Sequence, residues 1–147
     1  MSTLQRKRRE RGSAMIELAL SVVLLLMILT GVIEFGRMFY FAEEVASAAR
    51  AGVQYALVNP GSASSLTSLQ TAATNDAVDT TGLTATASET CECDSGSAVD
   101  CTTGTCVSGS VRTYVKVVAK APFKTIGTYK WIPRPINVSA QATIRVK

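Results

Sequence analysis

The chain has no histidine among its 147 residues, which removes the side chain most often used as a general base or proton shuttle near neutral pH. It has no C-x-x-C pair, so thiol–disulfide catalysis has no motif to rest on. G-x-S-x-G, H-E-x-x-H, a glycine-rich phosphate loop and the D-x-[DN]-x-[DN]-G order of a calcium loop are also missing. Charge of one sign is absent from two long stretches: residues 59–106 carry no basic side chain, and residues 107–147 carry eight basic ones and no acid. Surfaces of opposite sign could meet between copies or within one subunit, and the second is favoured. The acids Asp76, Asp79, Glu89, Glu92, Asp94 and Asp100 read as a solvated surface. At this length one modest core is possible and a large two-domain enzyme is excluded. No catalytic residue, metal or cofactor is expected.

What the sequence does have begins with a charged leader. Residues 1–12 hold Arg6, Lys7, Arg8, Arg9 and Arg11 against Glu10, which accounts for the whole formal charge of +4. The remainder is neutral, which argues against nucleic acid as a partner. A basic cluster abutting an apolar run is the positive-inside pattern. It places residue 1 in the cytoplasm and the C-terminal part across the membrane, periplasmic or extracellular. Residues 18–33 are uncharged, and with residues 13–17 they make 21 residues, about 31 Å of helix, enough to cross a hydrocarbon core. No A-x-A site follows, so a cleaved secretory signal is disfavoured. A soluble core helix this apolar on all faces would lack enough protein to cover it.

Helical spacing continues past this run. Phe35, Met38, Ala42, Val45, Ala46, Ala49, Val53 and Ala56 recur every three or four positions through residue 57, until Asn59-Pro60-Gly61 stops the pattern. Residues 13–57 as one helix would be about 68 Å long: a transmembrane part, 13–34, and an amphipathic continuation, 35–58. A short second helix is expected within 62–79, with Leu66, Leu69, Ala73 and Val78 apolar. Beyond Gly82 the period becomes two, at Leu83–Ser88, at Val111–Lys120 and at Val138–Lys147. Strands bunched after helices predict an α+β fold: a small antiparallel sheet of three to four strands covered on one face by the amphipathic helix. Residues 121–137 hold three of the four prolines and the only tryptophan, and read as an irregular or edge connection. Residues 59–147 thus form an extracytoplasmic head.

Cys91, Cys93, Cys101 and Cys106 are confined to one loop, 91–106. Outside the cytoplasm an even count favours two disulfides. Zinc is the alternative, but the spacing is unusual and no histidine completes a mixed set. A Cys91–Cys93 bridge would close a very tight ring. Of the other two pairings, nested Cys91–Cys106 with Cys93–Cys101 is preferred over crossed.

The remaining feature is Gly12-Ser13-Ala14-Met15-Ile16-Glu17, ahead of the apolar helix. It resembles the processing site of type IV prepilins, in which a membrane peptidase cuts after the glycine and leaves a carboxylate at position five of the product. Gly12 would end the leader, Ser13 would be the new terminus and Glu17 the acid. The resemblance narrows further through Ile16-Glu17-Leu18-Ala19, Gly31-Val32-Ile33-Glu34-Phe35-Gly36-Arg37 and Ala48-Ala49-Arg50-Ala51-Gly52. This order is similar to the N-terminal motif of TadE-like proteins, minor pseudopilins of tight-adherence (Flp) pilus systems. The resemblance implies a non-enzymatic pseudopilin of the cytoplasmic membrane. Its partners would be a prepilin peptidase, other pilins and pseudopilins, an inner-membrane assembly platform and membrane lipid. Among packed helices, Glu17 could neutralise the freed amino group of Ser13 in a neighbour; the simpler reading leaves its carboxylate at headgroup level. Glu34 and Arg37 are spaced for an intrahelical pair at the outer interface, while Gly31 and Gly36 fit a helix contact or a bend.

Overall fold

The computed structural model describes residues 2–59, 65–128 and 130–146, and side chains from residue 14 onward. The chain is α+β, with helix α1 (Ser2–Val58), helix α2 (Leu66–Asp76) and strands β1 (Thr84–Cys93), β2 (Ala98–Val99), β3 (Val111–Phe123) and β4 (Ile136–Arg145). α1 starts eleven residues earlier than the expected Ser13, because Arg, Lys, Glu and Gln are good helix formers and nothing before Gly12 breaks the backbone pattern. It ends at Val58: the Asn59 N–H still donates to the Tyr55 carbonyl at 3.0 Å, and proline follows. The chain divides into two compact units, one up to Arg37 and one from Met38 onward.

In the first unit every residue from 14 to 33 is exposed. The helix is long and apolar enough to cross a membrane. Its few hydroxyls suit that environment. Ser21 donates to the Glu17 carbonyl at 2.8 Å, and Thr30 lies within donating distance of the Leu26 and Met27 carbonyls at 3.0 and 2.9 Å. Neither hydroxyl is left without an acceptor, as hydrocarbon surroundings require. α1 runs unbroken through Gly31 and Gly36, and this chain places nothing within 4 Å of where a Cβ would stand at either.

In the second unit the strands form one antiparallel sheet in the order β2-β1-β3-β4. Odd-numbered β3 residues, Val115, Val117, Ala119, Ala121 and Phe123, are buried. Their even-numbered neighbours lie on the other face, which is the alternation of a half-covered sheet. The cover is the second half of α1 together with α2. Val53 and Ala56 join Leu69, Ala73, Val115 and Val117 in one cluster, and Val45, Ala48 and Ala49 join Ala77, Ala119 and Ala121 in another. The Phe41 and Phe123 ring centroids are 5.3 Å apart. Helix numbers therefore rise as β3 numbers fall, so α1 lies antiparallel to the central strand.

The burial pattern bears out Val45, Ala49, Val53 and Ala56 on the inner helix face and corrects its margins. Ala48 is fully buried and Gly52 is buried too, whereas Phe35 and Met38 are exposed. Alanine and glycine sit where helix and sheet approach most closely, and neither type is visible to a search for large apolar residues. In α2, Leu69 and Ala73 are buried, but Val78 lies past the helix end and is 85% exposed. β1 extends through both Cys91 and Cys93, and β2, only two residues long, is an addition to the three strands read from alternation.

Candidate functional site: the N-terminal helix and the cystine loop

Two groups of residues carry the features singled out in the sequence, one in each unit. In the first, Gly12 and Ser13 have helical backbone and otherwise lie outside the described residues. Glu17 is exposed one helical turn beyond Ser13, and its side chain has no ion-pair partner among the described residues. Further along, Arg37 Nη1 donates to Glu34 Oε2 at 3.2 Å. This i,i+3 pair lies just past the apolar run, where the Arg37 stem can cover apolar surface while its head stays wet.

In the second unit the disulfides are Cys91–Cys101 and Cys93–Cys106, with Cα separations of 5.1 and 5.7 Å. The crossed pairing corrects the nested expectation, and the turn between β1 and β2 explains it. Gly96 N–H donates to the Cys93 carbonyl at 2.7 Å and Cys93 N–H to the Ser97 carbonyl at 2.9 Å. Gly96 takes a left-handed φ of 84°, as the last residue of a three-residue hairpin loop commonly does. With so tight a turn Val99 stands opposite Cys91, and Cys101 falls beyond Cys91, away from Cys93. The chain then returns to start β3 at Val111, which pairs with Cys93, and the return brings Cys106 to that end.

Two acids of the solvated surface, both exposed as expected, also staple this loop. Asp100 Oδ1 accepts from the N–H and hydroxyl of Thr102 at 2.8 and 2.6 Å, and from those of Thr103 at 2.9 and 3.2 Å. Asp94 accepts the Ser110 N–H at 2.9 Å and Arg112 Nε at 2.6 Å. The Asp94–Arg112 pair joins the acidic and basic stretches within one subunit, as favoured from sequence. Hydrogen bonds from the Thr102 hydroxyl and the Thr103 N–H, in that order of weight, hold Asp100 well below the usual carboxylate range. The Ser110 N–H, followed by Arg112, lowers Asp94.

Both carboxylates therefore bind protons less readily folded than unfolded, so their stabilisation is present above the unfolded value near pH 4 and is lost as pH falls below it. The midpoint of thermal unfolding is expected to be level from neutral pH down to about 5 and to drop on further acidification. Asp94→Asn with Asp100→Asn should flatten that acid limb. Parallel curves for the variant and the unmodified chain below about pH 4 would contradict the assignment.

Glu89, Cys91 and Cys101 place one ligand atom each within 4.8 Å of one another. Both sulfurs are committed to their shared disulfide, so the oxidised chain offers no thiolate there. The outer sheet face carries Lys116 and Lys120 on β3, flanked by Ser88 and Thr84 on β1 and by Thr143 and Ser139 on β4. A groove of about 460 Å³ lies at one end of it, lined by Gly82, Thr84, Lys120, Ala121, Pro122, Asn137 and Ser139. Hydroxyls, an amide and an ammonium can hold a polar ligand. That lining contains no carboxylate or thiol to act as base or nucleophile.

Sequence reasoning missed the stapling acids, whose roles depend on loop geometry, and Gly52, which had appeared only inside a motif. No curated protein and no solved structure matches the chain. The model of the TadE-like protein family matches residues 12–54, which take in the apolar run of the first helix and most of its amphipathic continuation, and over that stretch the chain is similar to TadE-like proteins.

Proposed function

We propose that this chain is a minor pseudopilin that takes part in assembling a tight-adherence (Flp) pilus, after a prepilin peptidase cuts behind Gly12. The family match carries the reading: it begins at Gly12 and takes in Glu17, Glu34, Arg37 and Gly52. Residues 1–12 are then a cytoplasmic leader, residues 13–34 hold the product in the cytoplasmic membrane, and the unit from Met38 onward faces the other side. Its partners are the peptidase, other pilins and pseudopilins, and the inner-membrane assembly platform. The bond to be cut lies within helical backbone, and Gly12 is the poorest helix former near it, about 1 kcal/mol worse than alanine. The glycine thus marks where the helix is easiest to open into an extended substrate.

Once Ser13 is freed, its ammonium and the Glu17 carboxylate of a neighbouring chain are opposite charges on helices that pack in a low-dielectric layer. Pairing there removes the cost of leaving either charge alone. The pair sets axial register.

The mature N-terminus decides the matter. The membrane-bound product is expected to begin at Ser13, and the Gly12→Leu variant to keep residues 1–12 and to lose piliation. Glu17→Ala is expected to be cut normally yet to be recruited poorly. A wild-type product that still begins before Ser13 would instead make the chain an uncleaved single-pass scaffold with a partner-binding head.

A further inference from the structure

The β3–β4 connection, residues 124–135, exposes large apolar side chains on the second unit. Trp131 is 94% exposed, Ile126 68% and Ile132 39%. Lys124, Lys130 and Arg134 lie among them, and no acid occurs in residues 107–147. The loop is closed at its base: Arg134 Nε donates to Thr125 Oγ1 at 3.0 Å, and Arg134 Nη2 donates to the Thr125 carbonyl. Isoleucine and tryptophan on a closed, cationic loop are hard to explain as a surface meant only for water.

The loop's position supplies the occupant. α1 lies antiparallel to β3, and Phe41 meets Phe123, so the segment leaving β3 after Phe123 emerges at the end of the unit where its own chain begins, at Met38. Phe39 and Tyr40 are 63% and 64% exposed at that same end. Ile33, the last residue of the apolar run, precedes Met38 by five residues, which reach at most about 18 Å even when fully extended. This end of the unit is therefore held close to any bilayer that the run enters. The acids that staple the cystine loop lie at the other end of the sheet, by the start of β3. In the helical layer nearby, Glu44 accepts from Thr80 and Asp76 from Ser47; Glu43 is exposed.

We propose that the 124–135 loop docks on the membrane from which the helix emerges. Trp131 and Ile132 would enter the headgroup region, while Lys124 and Lys130 face anionic lipid phosphates. Tryptophan favours that interface because its ring is apolar and its N–H can still be hydrated. Each lysine or arginine near an anionic surface favours the bound state by about fivefold. The contact gives the unit a second attachment and a set orientation on the bilayer. It rests on membrane insertion of residues 14–33, and not on processing or on a role in a pilus.

Trp131 is the only tryptophan, so the fluorescence of the full chain reports this loop alone. The chain is reconstituted in vesicles of phosphatidylglycerol and phosphatidylcholine, with or without lipid brominated near the headgroup, and insertion is read separately by vesicle flotation. Emission is expected to be blue-shifted, quenched by brominated lipid and shielded from aqueous acrylamide. Lys124→Gln with Lys130→Gln should shift the docked-to-free ratio towards free by about 25-fold in anionic vesicles, and by much less in neutral ones. Floating protein whose tryptophan is quenched by acrylamide and not by brominated lipid would overturn the docking alone. Shielding from both quenchers points to a protein partner on the loop and overturns it as well, and protein that does not float overturns the membrane reading together with the docking.

Discussion

Gly52→Leu is expected to abolish cooperative unfolding of the unit from Met38 onward, whereas Gly52→Ala weakens it and leaves it folded. Gly52 lies where α1, α2 and β3 meet. A Cβ built there would stand 3.0 Å from Val117 Cγ1, 3.1 Å from the Leu69 carbonyl oxygen and 3.2 Å from the Ala73 Cβ. Val117, Leu69 and Ala73 are fully buried, so none of them can retreat into solvent, and a helix carbonyl cannot move without its own turn. Two effects oppose one another in the alanine variant. Helix propensity favours alanine by about 1 kcal/mol, and overpacking a filled core costs about 1–3 kcal/mol. A backbone oxygen among the three neighbours puts the balance on the destabilising side. Leucine keeps the first gain and has to place three further carbons where no space exists. Denaturant unfolding followed by circular dichroism measures both variants. Val117→Ala in the Gly52→Ala background removes the closest contact and should recover part of the loss as a coupling energy. A Gly52→Ala protein more stable than its parent would mean that the three-way junction is loosely filled.

That junction also marks the limit of what could be read from the sequence. Periodicity located the helical face at Val45, Ala49 and Val53, and the alternation of Val115, Val117 and Ala119, because both signals come from large differences between apolar and polar neighbours. Ala48 and Gly52 carry no such contrast, yet closeness of approach is set by them. The extension of β1 through Cys91 and Cys93, with Glu89 and Glu92 alongside, was hidden because a search for alternating apolar residues does not count disulfide sulfur as core, although both cysteines are buried. The motif around Gly12 and Glu17 was legible for the opposite reason. Its chemistry is local, a small residue at a cut and an acid at fixed spacing, and it needs no knowledge of the fold. The 124–135 loop stands between these cases: its prolines and single tryptophan announced an irregular connection, while the direction in which it emerges follows only from the antiparallel course of α1 and β3.

Cys91→Ser is expected to leave Cys101, and not Cys106, as the reactive thiol. In the unmodified chain Cys93 is held to Cys106, so removing Cys91 strands its own partner while the second bridge persists. Alkylation followed by peptide mass mapping distinguishes the outcomes, since nested bridges would release Cys106 instead. The stability effect should be large for so small a core. The two bridges close segments of 10 and 13 residues in sequence separation, and loops of that size restrict the unfolded chain by about 3 kcal/mol each. Domains of this size are stable by only about 5–15 kcal/mol in total. The buried side chains here are mainly alanine and valine, with Leu69 and Phe123 the largest apolar ones, so the core has little surplus to absorb the loss. One bridge removed should lower the unfolding free energy by about 3 kcal/mol without unfolding the unit. With both removed, the hairpin of β1 and β2 retains only its short ladder and the Asp94 and Asp100 staples. It should then open well before the helix-covered end around Ala119 and Ala121, giving two transitions where the oxidised chain gives one. A single transition, unshifted by reductant, would show that the cystine loop is carried by the rest of the fold instead of supporting it.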